Sequence, residues 1–185
     1  MRMRAAVWCC LMFGIISASM QAQQVPTAAS PLAACGDDKT SFSVERGPIG
    51  DTATAPTTDM ATVYVIELYN LRDKGKFNRP TLRQGLDGAW IGATQGFTYV
   101  SAAVKPGSHH LCSRWQSHFG SLSEQVSLYN FDAVAGKRYY FRVQIVVEGS
   151  GEGAAPASID LQPVSEDEGR FLVSEAAQSI SKPKK

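Results

Sequence analysis

Three glycine-containing dipeptides, Asp87-Gly88, Pro106-Gly107 and Ala135-Gly136, mark chain reversals in the middle of the sequence. Asp-Gly suits a type I′ hairpin turn, because both central residues must take positive φ. In Pro106-Gly107 the proline fixes one dihedral and the glycine accepts a positive one. The runs between these reversals carry β-branched and aromatic residues, the composition of half-buried strands. Thr62 to Leu71 (TVYVIELYNL) is the strongest, and Thr40 to Glu45, Phe97 to Val104, Ser108 to Trp115, Gln125 to Phe131, Lys137 to Val147 and Ser158 to Val164 follow the same pattern. Gly47 to Asp59, Arg72 to Pro80 and Gly149 to Gly153 read as connections.

This pattern predicts an all-β fold: a β-sandwich of about eight short, mostly antiparallel strands. One short helix is expected near the C-terminus. Ser165 is placed as an N-cap with Glu168 three residues on, and Glu166, Asp167 and Glu168 favour a helix start. Gly169 weakens that helix, which is expected to end near Ser174.

Residues 1–22 have the three parts of a secretory signal. Arg2 and Arg4 are followed by an uncharged run from Ala5 to Ala18, and then by small residues suited to cleavage after Ser19 or Ala22. The run is shorter than the ~20 residues of a membrane-spanning helix. Residues 23–37, rich in Gln, Ala, Ser and Pro, read as a linker. Residues 38–181 form the β-sandwich domain and 182–185 a basic tail. The formal charge of +1 becomes −1 when Arg2 and Arg4 leave. That balance excludes the basic footprint of a nucleic-acid-binding protein.

The leader also divides the cysteines. Cys9 and Cys10 go with it, and Cys35 and Cys112 remain. In an exported compartment the pair is expected to form a disulfide, worth roughly 4 kcal/mol in the chain-entropy model. The alternative is lipidation of Cys35, since Leu32-Ala33-Ala34-Cys35-Gly36 has the form of a bacterial lipobox. Against it stands the polar stretch between that cysteine and the leader.

Three stretches carry a resemblance: Leu86 to Gly92, Val104 to Leu111, and Ala135 to Val143. In this order they resemble a family of exported bacterial proteins known only as a domain of unknown function. Many of its members are envelope lipoproteins, and it is distantly similar to the small β-sandwich modules called PEGA domains. The resemblance spans about residues 60–175. It implies an envelope β-sandwich and brings no activity with it.

Residue types with chemical potential read mainly as structural. His109 and His110 are adjacent on a strand and point to opposite faces, so they cannot jointly chelate an ion. His110 and Cys112 share a face, with His118 nearby in sequence, but no second Cys/His pair has zinc spacing. No metal or cofactor is expected. There is no Gly-x-Ser-x-Gly elbow, and the acidic run at 166–168 fits a helix start better than an acid/base pair.

The functional expectation is therefore an exported, non-catalytic structural or interaction module of the bacterial cell envelope. Its partner would be an envelope protein or a cell-wall glycan. The alternative is a carbohydrate- or peptide-binding module using exposed aromatics, with Trp90, Tyr99 and Trp115 as candidates and Tyr129 beside them.

Overall fold

A computed structural model describes residues 34–53, 55–68, 80–116, 125–147 and 157–184. The leader, His118 and the Gly149–Gly153 connection lie outside these residues. Ten strands and one helix follow in order: β1 Phe42–Ile49, β2 Ala61–Glu67, β3 Thr81–Leu86, β4 Ala89–Gln95, β5 Thr98–Val104, β6 Gly107–Gln116, β7 Val126–Ala133, β8 Arg138–Val147, β9 Ala157–Val164, α1 Glu166–Glu175 and β10 Ala177–Pro183. They form a six-stranded sheet, β1-β10-β5-β2-β8-β9, and a four-stranded sheet, β4-β3-β6-β7. Two contacts, β10 with β5 and β2 with β8, are parallel, and the other pairings are antiparallel.

The reversals fall where the sequence puts them. Asp87 (φ 51°) and Gly88 (φ 86°) both take positive φ and join β3 to β4. This is the conformation that a two-residue hairpin of native twist requires.

Strand β2 is buried along its whole length because both of its faces are covered. Val63 and Val65 meet Leu82 and Leu86 of β3, Leu111 and Trp115 of β6, and Phe141 and Val143 of β8 in one cluster. Tyr64 and Ile66 point the other way, into a second cluster with Tyr99, Tyr140 and Val173 of α1. A strand covered on both faces reads as a continuous apolar run rather than an alternation.

Ser165 caps α1 as expected, its hydroxyl accepting from the Glu168 N–H at 3.2 Å. Gly169 has a packing reason. It lies against the ring of Tyr140, and a Cβ built there would enter that ring. We expect Gly169→Ala to lower the melting temperature. The helix-propensity gain of about 1 kcal/mol is set against an overpacking cost of about 1–3 kcal/mol. A higher melting point in thermal unfolding would contradict this placement.

Strand β10 is absent from the sequence expectation. Its segment, Ala177-Gln178-Ser179-Ile180-Ser181-Lys182-Pro183, is too polar to read as a strand. Pairing with β1 holds it, and its serines bridge to the edge of the other sheet. Ser181 Oγ accepts from the Ala93 N–H at 3.1 Å, and Ser179 Oγ donates to the Ala93 carbonyl. The first two residues of the expected basic tail are strand, with Lys182 and Pro183 paired to Ser43 and Phe42. Strand β1 also runs past its expected end at Glu45, with an irregularity between Arg46 and Ile49 where Gly47 and Pro48 sit. An edge strand tolerates proline at such a point.

Candidate functional site

The chain from Ala34 to Thr40, expected to be linker as far as residue 37, is a strap across the outer face of the four-stranded sheet. Cys35 is bonded to Cys112 of β6, with their Cα atoms 5.2 Å apart. Both are buried, and Ala34, Trp90, Val126 and Leu128 pack around them. Arg83 of β3 donates to the carbonyls of Asp38 (2.9 Å) and Thr40 (2.8 Å), and its guanidinium lies 4.7 Å from the centre of the Trp90 ring. Trp90 Nε1 donates to the Asp37 carbonyl at 2.8 Å, and Arg114 pairs with the Asp38 carboxylate. Gly85 permits the close approach: a Cβ there would lie 2.9 Å from the Ala34 carbonyl oxygen. The sulfur that lipidation would need is therefore occupied by the bridge.

The candidate binding aromatics are scattered. Tyr99 is 0% exposed and sits under the 50–52 segment, where its hydroxyl donates to the Gly50 carbonyl (2.8 Å) and accepts from the Thr52 N–H (2.9 Å). Trp115, 4% exposed, fills the cluster shared by the two sheets. Tyr129 packs on Phe141 with ring centres 5.3 Å apart. Trp90, on β4, packs against the strap. No common face joins Trp90, Tyr99 and Trp115, which corrects the expectation of an aromatic platform. Aromatic bulk fills interiors as readily as binding faces, and composition does not distinguish the two.

His109 and His110 do point to opposite sides. His109 Nδ1 lies 2.6 Å from Asp87 Oδ2 and its Nε2 lies 2.7 Å from the Lys105 carbonyl oxygen. His110 Nδ1 is 2.7 Å from Asn130 Oδ1, and the His110 N–H donates to Asp87 Oδ1 at 2.8 Å. Asp87 thereby staples the hairpin turn to β6. Among the described residues no group of three or more His, Cys, Asp or Glu side chains is placed to hold a metal ion.

Both His109 ring nitrogens face acceptors, so only the imidazolium satisfies both. Burial alone would lower its pKa; the hydrogen bonds to Asp87 and to the Lys105 carbonyl outweigh that and hold it above the ordinary value. A raised folded-state pKa stabilises fully below the unfolded value of about 6.5 and is lost as pH rises through the folded value. The stability difference between the native protein and His109→Gln should therefore shrink as pH rises above about 6.5. A constant difference in urea unfolding across that range would contradict the imidazolium clamp.

No family model, no curated protein and no solved structure matches this chain.

A polar row missed by the sequence reading crosses the interior. Glu67 follows Val63 and Val65 on the inner face of β2, Gln84 lies between Leu82 and Leu86 on β3, and Ser113 lies between Leu111 and Trp115 on β6. Gln84 and Ser113 are register partners. Thr94 of β4 links the row: Gln84 Nε2 donates to Thr94 Oγ1 at 3.0 Å, and Thr94 hydrogen-bonds the Glu67 carboxyl. Glu67 Oε1 also accepts from the Gly96 N–H at 2.9 Å. All four side chains are buried, and Glu67 Oε2, Gln84 Oε1 and Ser113 Oγ have no protein partner. Burial pushes the Glu67 carboxyl up to about 8, against the opposing hydrogen bonds from Thr94 and Gly96. The only prior signal was four polar residues within otherwise strand-like runs, which reads as solvent-facing alternation.

On the outer face of the six-stranded sheet, where α1 does not reach, small side chains leave a shelf-like cavity of about 290 Å³. Thr62, Ser101 and Ala103 form its floor, and Thr52, Ala53 and Gln178 border it. Tyr99 fixes the 50–52 wall through the bonds above, and Tyr64 adds a hydrogen bond to Asp51 at 3.2 Å. The volume stands at the lower end of the ~300–1,000 Å³ usual for small-molecule pockets.

Proposed function

We propose that this chain is an exported, non-catalytic β-sandwich domain of the bacterial cell envelope, acting as a structural or interaction module. The packed Cys35–Cys112 bridge carries the reading. Structural disulfides persist in oxidising compartments and are rare in the cytosol, and this one is surrounded by side chains that hold the strap. The sandwich rests on a cluster that draws side chains from both sheets. The resemblance to exported domains of unknown function points to the same setting.

Cell fractionation of a bacterium expressing the full chain tests this. The expected product is in the envelope or periplasmic fraction, cut after Ser19 or Ala22, and two hydrogens lighter than its reduced form. A full-length, reduced, cytoplasmic product would overturn the reading.

A second reading, a carbohydrate- or peptide-binding module, now rests on the shelf rather than on exposed aromatics. Its neutral hydroxyl, amide and methyl groups suit a neutral polar ligand. Soluble cell-wall glycan fragments and short peptides should then shift the amide resonances of Thr62, Ser101 and Gln178. Unchanged resonances across such a titration would end that reading.

A further inference from the structure

Three polar side chains on the shelf make no hydrogen bond with any described residue: the hydroxyls of Thr62 and Ser101 and the carboxamide of Gln178. Thr62 is only 4% exposed. Along β2, Val63 and Val65 turn inward and Tyr64 outward, so the Thr62 hydroxyl faces the cavity. A buried hydroxyl ordinarily has a partner. We infer, on the strength of the second reading above in which the shelf holds a ligand, that the group it takes is a methyl-bearing secondary amide. This is the chemistry of an acetamido sugar or of an alanyl peptide.

The strand order sets the spacing. In the six-stranded sheet β5 lies between β10 and β2, so Gln178 and Thr62 stand on opposite sides of Ser101 and Ala103. Gln178 is in register with Tyr99, and Thr62 with Ala103. Neighbouring strands lie about 4.8 Å apart, which puts about 10 Å between β10 and β2, the span of one small polar ligand. A trans secondary amide presents its N–H and its C=O on opposite edges. Lying across β5, it meets the Gln178 carboxamide on one edge and the Thr62 hydroxyl on the other. Both of those groups donate as well as accept. Ala103 on the floor and Ala53 on the border supply the apolar contact for the methyl group.

Other ligand classes fit less well. No charged side chain lines the cavity, and Asp51, which precedes its Thr52 wall, is engaged by Tyr64 and Arg138. A carboxylate or phosphate therefore meets no cation on the shelf. No aromatic ring lines it either, since Tyr64 and Tyr99 are 0% exposed. The face of a plain hexose ring has nothing to stack on. The wall is preformed, because the Tyr99 hydroxyl ties down the Gly50 carbonyl and the Thr52 N–H. A preformed wall keeps the ordering cost of binding low.

The test is an NMR titration of the mature, disulfide-bonded chain, read at the amides of Thr62, Ser101, Ala103 and Gln178. N-acetylglucosamine and N-acetyl-L-alanine methylamide are the probes, one for each source of the amide, and glucose is the sugar without it. At least one amide-bearing probe should give saturable shifts, and whichever binds more tightly names the source. Glucose should leave these resonances unchanged. Thr62→Val keeps the side-chain shape and removes the hydroxyl; it should weaken binding about three- to tenfold, the loss of one hydrogen bond. Ala103→Leu adds its bulk at an exposed position and should abolish binding. It decides the point should Thr62→Val fail to fold. Glucose shifting these amides as strongly as N-acetylglucosamine would overturn the amide assignment and leave the shelf reading standing. Silence of both amide probes would also overturn the assignment, whereas the shelf reading falls only if the wider panel of glycan fragments and peptides is silent too. Undiminished binding by folded Ala103→Leu would place the ligand elsewhere and end both.

Discussion

Replacing both Cys35 and Cys112 by alanine should cost the domain about 4 kcal/mol, the largest loss expected from any change outside the shared core. The bridge closes a loop with a sequence separation of 77. In the chain-entropy model a loop of that size falls between the ~3 kcal/mol of a 15-residue loop and the ~4.7 kcal/mol of a 100-residue loop. The strap adds to this. Without the bridge, only polar contacts hold the chain on the sheet: the bonds from Arg83 and Trp90 to the carbonyls of Asp37, Asp38 and Thr40, the Gly88 N–H to the Ala34 carbonyl, and the Arg114–Asp38 pair. Urea unfolding of the double variant measures the loss, and amide exchange should show residues 36–40 losing protection first. A loss below about 1 kcal/mol, the size of an ordinary point substitution, would mean that the strap is held by its polar contacts alone.

The second large effect concerns Glu67 and has the opposite sign. A carboxyl whose folded pKa is about 8 against an ordinary 4.5 keeps its proton in the folded state after the unfolded chain has released it. Below pH 4.5 both states are protonated and Glu67 adds no pH dependence. Between 4.5 and about 8 the folded state binds more protons, so its contribution falls steadily as pH rises, and above that window it is flat. The full span is roughly 3–5 kcal/mol at ~1.4 kcal/mol per pKa unit. Glu67→Gln should abolish this slope, so that the difference between native and variant protein grows from pH 5 to pH 8. A difference that stays constant over that window would show that Glu67 is ionised in the folded state.

A cost of that size at neutral pH requires a reason for the residue. Burying an ionisable group without a paired charge is costly. Perturbed carboxyls cluster where chemistry is done, and the polar neighbours of Glu67 are Thr94, the Gly96 N–H and, through Thr94, Gln84. The shelf is lined by neutral side chains, and in the strap Asp38 is paired with Arg114.

The three reversals followed from turn chemistry, since Asp87-Gly88, Pro106-Gly107 and Ala135-Gly136 each favour a turn from local residue type, whereas the order of the strands in the two sheets did not. The cysteine pairing followed from arithmetic, because only two thiols remain once the leader is set aside. What escaped the sequence escaped for physical reasons. Strand β10 is defined by backbone pairing and by two serine hydroxyls, neither of which leaves an apolar period. Tyr99 and Trp115 look like ligand-binding aromatics until their neighbours are known. Gln84, Thr94, Ser113 and Glu67 read as the polar phase of an alternating strand, and only the pairing of β3 with β6 and β4 turns them inward. Residues 34–37 have the composition of a linker, yet Gly85 and Gly36 leave room for them to lie on β3 and against Trp90.

The most direct test of the account is a non-reducing peptide map of the exported, mature protein. The tryptic peptide ending at Lys39, which carries Cys35, is expected to be joined through a disulfide to the peptide from Gln84 to Arg114, which carries Cys112. A Cys35 recovered as a free thiol, or as an acylated N-terminal residue, would contradict the disulfide-pinned strap and the domain built on it.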